Sequence, residues 1–359
     1  MPFDLAPPAA TVLTDPSDLL KIDKASHQIF RIPVARRASG EDLSIHVHVA
    51  RGESDGPVLG LVAAVHGDAI FGSHIIRLAM ERLDVTTLRG AVVAVPVANP
   101  LAFETGTRTT GQGWNTDMNN MNRVFPGAAD GWVTQQMAAA LSANVLRQLD
   151  ALIDYHSGAN TSIHYTLIDG DDTPEKRRTF DFNRLMGTDF IYVHDVNPHS
   201  GTITGHAAST GALCVVAEQG GDILPDGYDE LALEHIDNYL KALGMMDGEP
   251  ILPETQLVMR GGRTLQRVHH GGLFYPATGI DKLSKIVPGG MLLAQVVDPH
   301  TFEVLQTIRA PYEQSAIFEM RPSFCQVNPG DYAYIIGDAT RAVTIPRLES
   351  WRFALEPSR

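Results

Sequence analysis

Three short segments of the chain each carry one side chain suited to hydrolytic chemistry. His66 lies in VHGD, His156 in DYHSG and Glu218 in AEQGG. Imidazoles can hold a divalent metal ion, and a carboxylate can move a proton between water and a leaving group. In NMNRVFPG, Arg123 follows Asn122 and adds a planar guanidinium that makes two parallel bonds to a carboxylate. This combination is typical of a zinc-dependent amide hydrolase site that acts on an anionic substrate.

Each of these three residues follows an apolar segment that is typical of a buried strand. The segments are VLGLVAAV (58–65), ALIDY (151–155) and LCVVA (213–217). Helical periodicity lies between them, at about residues 73–83, 134–149 and 228–243. Open α/β sheets bind ligands beyond the carboxyl ends of their strands. The pattern therefore predicts that His66, His156 and Glu218 meet at one edge of a sheet.

The residue pattern of the sequence changes at about residue 253. Short alternating segments with Gly and Pro follow, such as GGRTLQRVHHGGLFYP and VNPGDYAYIIG, which are typical of a small all-β unit. We expect an α/β catalytic domain over residues 1–253, with residues 1–40 as an N-terminal extension or edge element. A C-terminal β domain, a barrel or sandwich, is expected over 254–359. Residues 44–49 alternate as an edge strand would.

Composition excludes several classes of function. The 359 residues include 28 Lys and Arg against 42 Asp and Glu, and the net charge of −14 argues against nucleic acid and anionic membrane as partners. Cys214 and Cys325 have no metal or redox spacing. The N-terminus lacks the pattern of a secretory signal, and no apolar segment is long enough to span a bilayer. We expect a cytoplasmic protein with a small-molecule substrate. The sequence does not determine the oligomeric state, and a homo-oligomer is one of the alternatives.

Several motifs in the same order resemble those of the succinylglutamate desuccinylase/aspartoacylase family, relatives of the zinc carboxypeptidases. They are HGDAIFG, VANPLAFETGTR, NMNRVFPG, DYHSG and AEQGG, followed by a β-rich tail, and they cover the chain from about residue 40 to its end. The resemblance implies a carboxypeptidase-like α/β fold, with a mixed sheet and helices on both faces, and a small C-terminal all-β domain.

The resemblance also implies roles for individual residues. His66 and His156 would be zinc ligands and Glu218 the general base. Arg108 would polarise the scissile carbonyl, while Asn122 and Arg123 would grip a substrate carboxylate.

The chain departs from the family pattern at one metal ligand. The family has a glutamate three residues after the first histidine, and here that residue is Ala69. Asp68 is the candidate substitute, and Asp117 in the long loop is another. A metal held mainly through substrate, a divalent ion other than zinc, and the absence of metal are the further alternatives.

Other residues also have two interpretations. Glu218 is a proton shuttle or a capping acid, and Arg123 is a carboxylate clamp or a structural ion-pair partner. Arg108 faces the site or is simply exposed. Asp154 orients a histidine or is satisfied by backbone amides. Tyr165 bonds to substrate or packs within the sheet.

The sequence therefore predicts a metal-dependent deacylase that cleaves the amide of a small, carboxylate-bearing N-acylated amino acid. The alternative is a degenerate relative that binds an anionic metabolite without hydrolysing it, which the loss of the expected glutamate at Ala69 favours.

Overall fold

The computed structural model describes residues 10–111, 119–157, 161–169, 173–194, 201–221, 223–353 and 355. The α-helices in these segments are α1 (Phe71–Arg82), α2 (Pro100–Thr105), α3 (Val133–Asn144), α4 (Pro174–Arg184), α5 (Ile203–Ser209) and α6 (Tyr228–Ala242). The strands are β1 (Thr11–Val12), β2 (Ser26–Arg36), β3 (Asp42–Arg51), β4 (Ser54–Val62), β5 (Arg89–Val95), β6 (Ala151–His156), β7 (Thr161–Asp169), β8 (Phe190–His194), β9 (Leu213–Gly220), β10 (Thr255–Arg260), β11 (Arg263–Arg267), β12 (Gly272–Pro276), β13 (Ile286–Pro288), β14 (Leu292–Val297), β15 (Val304–Arg309), β16 (Gln314–Met320), β17 (Cys325–Val327), β18 (Tyr332–Asp338) and β19 (Val343–Pro346).

The large sheet is mixed, as predicted. Its main path runs β1-β2-β3-β5-β4-β6-β9-β7-β16-β18-β11. Strands β5, β4, β6 and β9 pair in parallel at its centre, whereas β3 joins β5 and β7 joins β9 in antiparallel fashion. Parallel neighbours bring their carboxyl ends to the same edge of the sheet, which is where the candidate site residues follow β4, β6 and β9.

Helices cover both faces of the central strands, which confirms the predicted layers. Helices α3 and α5 pack on one face, where Leu152 belongs to their core cluster. Helices α1 and α6 pack on the other face, which holds Leu61 and Ile153. Because both faces are covered, these strands contain continuous apolar runs instead of alternating apolar and polar residues. Full burial of a side chain such as Leu61 contributes about 1.5–3 kcal/mol.

The C-terminal region is all-β, as predicted. Strands β15, β14, β12 and β17 form a separate antiparallel sheet. The other C-terminal strands join the large sheet, where β16 pairs with β7 and β10 pairs in parallel with β8. Backbone hydrogen bonding therefore continues across residue 253, and the division into two domains stays a prediction.

The edge of the sheet differs from the expectation for residues 44–49. They lie in β3, which has β2 on one side and β5 on the other. The outer position belongs to β2, with the short β1 beside it. The expectation was wrong because the polar and proline-containing segment before residue 40 also forms a strand.

In the part of the chain that the structure describes, no helix combines the length and apolar character needed to cross a membrane.

Candidate active site

The sheet places His156 and Glu218 side by side. They are register partners on the parallel strands β6 and β9, and each lies near the carboxyl end of its strand. On the other side of β9, Tyr165 of β7 is the register partner of Glu218. Side chains of directly paired residues project to the same face with Cβ atoms about 5 Å apart. Three candidate residues therefore form one row across three strands.

A rigid turn after β4 carries His66. Ala64 has a left-handed backbone (φ 52°), a conformation that residues other than glycine seldom adopt and that clusters at functional sites. An added Cβ at Gly67 would lie 2.0 Å from the carbonyl carbon of Ala102, so only glycine allows this approach to α2. The backbone on both sides of His66 is thus held in place, and its side chain is buried.

The two imidazoles lie together, with ring centroids 5.0 Å apart. His66 Nε2 is 3.0 Å from Oδ1 of Asn120, and this oxygen also accepts the backbone N–H of Asn122 at 2.9 Å. Because an amide oxygen can only accept hydrogen bonds, the hydrogen atom of this contact must lie on Nε2 of His66, which is therefore the donor. Nδ1 of His66 is then left with a lone pair, and it is buried without a partner among the described residues.

Electrostatics keep His66 neutral. Burial, chiefly, together with the charges of His156 and Arg108, lowers the pKa of His66 to about 2. A neutral imidazole with a free ring nitrogen is the form that binds a metal ion.

Asp154 orients His156, one of the two alternatives for this carboxylate. Its Oδ2 accepts a bond from His156 Nε2 at 2.8 Å, and its side chain is fully buried. Burial, the largest effect, lowers the pKa of His156, but the charge of Asp154, its hydrogen bond and the charge of Glu218 outweigh it, so the pKa is raised. Donation from Nε2 leaves Nδ1 as the ring atom with the lone pair. Carboxylate support of this kind is usual for metal-binding histidines.

Asn122 connects several parts of the site. Its Oδ1 accepts the backbone N–H of Ile203 at 2.9 Å, and its Nδ2 packs 3.2 Å from His156 Nε2 without a hydrogen bond, because that nitrogen already donates to Asp154. Its backbone oxygen accepts a bond from Arg123 Nη1 at 2.6 Å. Both polar ends of the amide thus contact protein, and its predicted role in substrate binding stays a prediction.

A cavity of about 570 Å³ opens over this row of residues, between β9 and α5. Both predicted histidines, Glu218, Arg108, Arg123, Asn122 and Tyr165 line it. Four charged or aromatic residues that sequence reasoning did not assign to the site also line it, namely Lys176, Arg263, Glu319 and Tyr332.

Arg108 and Arg123 give one part of the cavity a positive charge. Burial, first, and the neighbouring charge of Arg108 lower the pKa of Arg123. Within the described segments neither guanidinium has a carboxylate partner, and both residues are exposed. Two adjacent cations without a counter-ion favour an anionic ligand.

The set of metal-binding side chains is incomplete among the described residues. No group of three or more His, Cys, Asp and Glu side chains is arranged to hold a metal ion in the ranges that the structure describes. Ala69 is buried, and its N–H bonds to the carbonyl of His66 at 3.1 Å, so residue 69 folds back over that histidine without offering a ligand atom. Oδ1 of Asp68 is buried without a described partner, and its role as a ligand stays a prediction. Asp117 lies outside the described residues. The two imidazoles fit a divalent ion as nitrogen donors, and the described residues do not complete a set of three donors around them.

Sequence reasoning missed Asn120 and Arg263. Asn120 could have been found from the repeated asparagines of NNMNR, whereas Arg263 has no local signal because the strand that carries it lies far along the chain. Outside the predicted motifs, His164 lies on β7 next to Tyr165. It contacts His235 and Tyr228 of α6, with ring centroids 4.8 and 3.8 Å away. His199 lies outside the described residues.

Comparison with known proteins identifies the family to which the sequence is similar. The model of the succinylglutamate desuccinylase/aspartoacylase catalytic domain matches residues 55–239. The N-alpha-acetyl-L-2,4-diaminobutyric acid deacetylase of Halomonas elongata is 26% identical over 334 residues, which cover 89% of this chain and 94% of the relative.

Solved structures share the fold. A succinylglutamate desuccinylase from a Silicibacter species superposes with a TM-score of 0.75 at 23% identity, over 89% of this chain and 96% of that one. The product-bound ectoine utilization protein EutE from Ruegeria pomeroyi has a TM-score of 0.75 at 24% identity, over 89% and 97%.

Proposed function

The chain belongs to the succinylglutamate desuccinylase/aspartoacylase family, and from that premise we propose that it hydrolyses the amide bond of a small N-acylated amino acid that carries a carboxylate. The observation that carries the proposal is the pairing of Glu218 with His156 at the strand ends, in the cavity that also holds His66 and the two guanidiniums.

The Halomonas relative suggests the first substrate to test. That protein is named for deacetylation of N-alpha-acetyl-L-2,4-diaminobutyrate, and the match covers nearly its whole length. We therefore propose an acetyl or similarly small acyl group on an amino acid.

The guanidiniums bind and orient the substrate. Arg123 holds its carboxylate through paired N–H donors, and Arg108, which lines the same cavity, polarises the acyl oxygen. Orientation of this kind brings the amide carbon towards Glu218.

Glu218 moves the proton. Its carboxylate takes a proton from the attacking water and returns it to the departing amine, so that the amide C–N bond breaks and a carboxylic acid and an amine form. Its position beside His156, within a cavity that is partly closed to solvent, suits this role.

His66 and His156 would hold a divalent ion, zinc or another, through their Nδ1 atoms, with Asp68 as the candidate further ligand. When bound, such an ion acts as a Lewis acid and lowers the pKa of water. Asn120 and Asp154 hold the two rings in the required tautomer and orientation.

A second candidate function is binding of an anionic metabolite without hydrolysis. Ala69 favours it, because the glutamate that would complete the ligand set is missing.

The test of the proposal is amine release from N-acetyl-L-2,4-diaminobutyrate and a panel of other N-acyl amino acids, with and without added zinc. Metal analysis of the purified protein accompanies it. Turnover that a chelator abolishes supports the hydrolase. Metal-free protein that binds these compounds and cleaves none of them supports the alternative.

A further inference from the structure

Three histidines lie on one face of β2 and β3, at the outer part of the large sheet. His46 and His48 alternate along β3 with the buried Val47, so they point away from the core cluster to which Val47 belongs. His27 of β2 lies on the same face as His48, because its register partner on β3 is Ala50, two residues further along.

The side chains of His27 and His48 meet across the two strands. Nε2 of His27 lies 3.2 Å from Nδ1 of His48, and the ring centroids are 5.3 Å apart. The two residues are diagonal neighbours of an antiparallel pair, a spacing that ring side chains can bridge. The ladder between β2 and β3 runs without a register shift from Ser26 to Pro33, so the backbone holds both rings in place.

The distance between these two nitrogens is the one found between two ligands of a single metal ion. Metal–nitrogen bonds of about 2.0–2.1 Å that meet at about 90–109° place the two nitrogens about 2.9–3.4 Å apart. A hydrogen bond between the rings has similar geometry and needs a proton on one of the two nitrogens. A metal ion takes the place of that proton and binds both lone pairs.

Both rings are mostly neutral at pH 7, which is the form that binds metal. Burial lowers the pKa of His27, and burial, first, together with the charges of His27 and His46 lowers the pKa of His48. His27 is exposed and His48 is half-buried, so an ion can reach them from solvent. No group of three His, Cys, Asp and Glu side chains is arranged for a metal in the described ranges, so water would complete the coordination.

We propose that His27 and His48 form a metal site, separate from the candidate active site, that binds a divalent transition-metal ion and ties β2 to β3. Imidazole suits Cu²⁺, Ni²⁺ and Zn²⁺, and Cu²⁺ binds most tightly of the three. Neither histidine lines the active-site cavity. The inference therefore does not depend on the proposed function.

A metal ion in this position would stabilise the outer part of the sheet. Strand β2 pairs with β3 along most of its length, whereas on its other side the short β1 pairs with Phe30 and Arg31. A ligand that binds the folded chain and not the unfolded chain raises the free energy of unfolding. We therefore expect added Ni²⁺ to raise Tm through this site.

Copper binding to the full chain, followed by calorimetry and by electron paramagnetic resonance, tests the site. The wild type is expected to bind about one more Cu²⁺ per chain than His27→Gln or His48→Gln, because one imidazole alone holds the ion weakly. The double variant is expected to lose no more copper than either single variant, since both nitrogens serve the same ion.

Two matched variants assign the copper to this pair. His300→Gln removes an exposed histidine from the hairpin between β14 and β15, and it is expected to bind copper like the wild type. His66→Gln removes an imidazole from the candidate active site and is expected to keep the ion that His48→Gln loses. Added Ni²⁺ should raise Tm more in the wild type and His300→Gln than in His48→Gln.

Equal copper binding by the wild type, His27→Gln and His48→Gln overturns the site, and so does an equal rise of Tm with Ni²⁺ in all of them. Loss of the same ion in His66→Gln also overturns it, because that copper then belongs to the active site. Deacylation is expected to be the same in the wild type and in His27→Gln. If neither cleaves any N-acyl amino acid, the proposed function falls while the copper site stands.

Discussion

We expect acid to lower the free energy of unfolding by an amount that can be calculated for one buried histidine near the site. His235 is buried on α6, with its Nδ1 3.2 Å from Nε2 of Gln219, the residue after Glu218. Its Nε2 has no partner among the described residues, and the ring of His164 is 4.8 Å away. Burial lowers the pKa of His235 from 6.5 to about 3. The folded protein therefore holds this ring neutral where the unfolded chain would protonate it.

The sign and size of the effect follow from proton linkage. Because the unfolded chain binds the extra proton, the contribution of His235 to stability is fully present above about pH 6.5 and is lost as the pH falls towards about 3. One pH unit below the unfolded pKa, at about pH 5.5, the loss is about 1.4 kcal/mol. His164, whose pKa is lowered by burial and by the charge of His235, adds a loss of the same sign.

Urea unfolding of the wild type and of His235→Gln, at about pH 8 and about pH 5.5, measures this loss. The variant loses packing at both pH values, so the informative quantity is the change with pH. The free energy of unfolding should fall by about 1.4 kcal/mol less in the variant than in the wild type. His269→Gln is the control, because His269 is exposed, and it should fall with pH as the wild type does. Equal falls in the wild type and His235→Gln would refute the reasoning.

Three further predictions concern the site itself. Arg123→Met should raise KM about tenfold or more, because a bond to a charged group contributes about 1.5–3 kcal/mol, and an unchanged KM in steady-state kinetics would contradict the carboxylate clamp. Asp154→Asn should lower zinc affinity about 10- to 100-fold in competition with a chelator, and unaltered affinity would show that the bond to His156 is not needed. Ala69→Glu should raise zinc affinity in the same assay, since residue 69 folds back over His66, and no gain would mean that position 69 does not face the metal.

The centre of the fold could be predicted from the sequence because burial leaves a clear signal there. Strands covered by helices on both faces read as continuous apolar runs, and β4, β6 and β9 do so. Their parallel pairing then places the residues that follow them at one edge, which is why His156 and Glu218 could be associated without a structure. The contact of Asp154 with His156 could also be predicted, because alternate residues of a strand lie on the same face.

Long-range contacts and edges could not be predicted in the same way. Strand β2 contains Pro33 and polar residues, so the residue pattern predicted no strand for it within the segment 1–40, which was expected to be an N-terminal extension or edge element. Arg263 lines the cavity from β11, which lies far along the chain from β7, and no local pattern records this approach. The hydrogen bond of Asn120 to His66 depends on how a loop folds over the turn after β4.

Glu218 is proposed to be the proton shuttle beside His156, and removal of its carboxylate tests this role. Turnover and binding of N-acetyl-L-2,4-diaminobutyrate are compared in the wild type and in Glu218→Gln, which removes the carboxylate with little change in shape. Because Glu218 is proposed to transfer the proton, we expect kcat to fall about 10²–10⁴-fold in the variant, with the dissociation constant nearly unchanged. A variant that keeps the wild-type kcat would contradict this role.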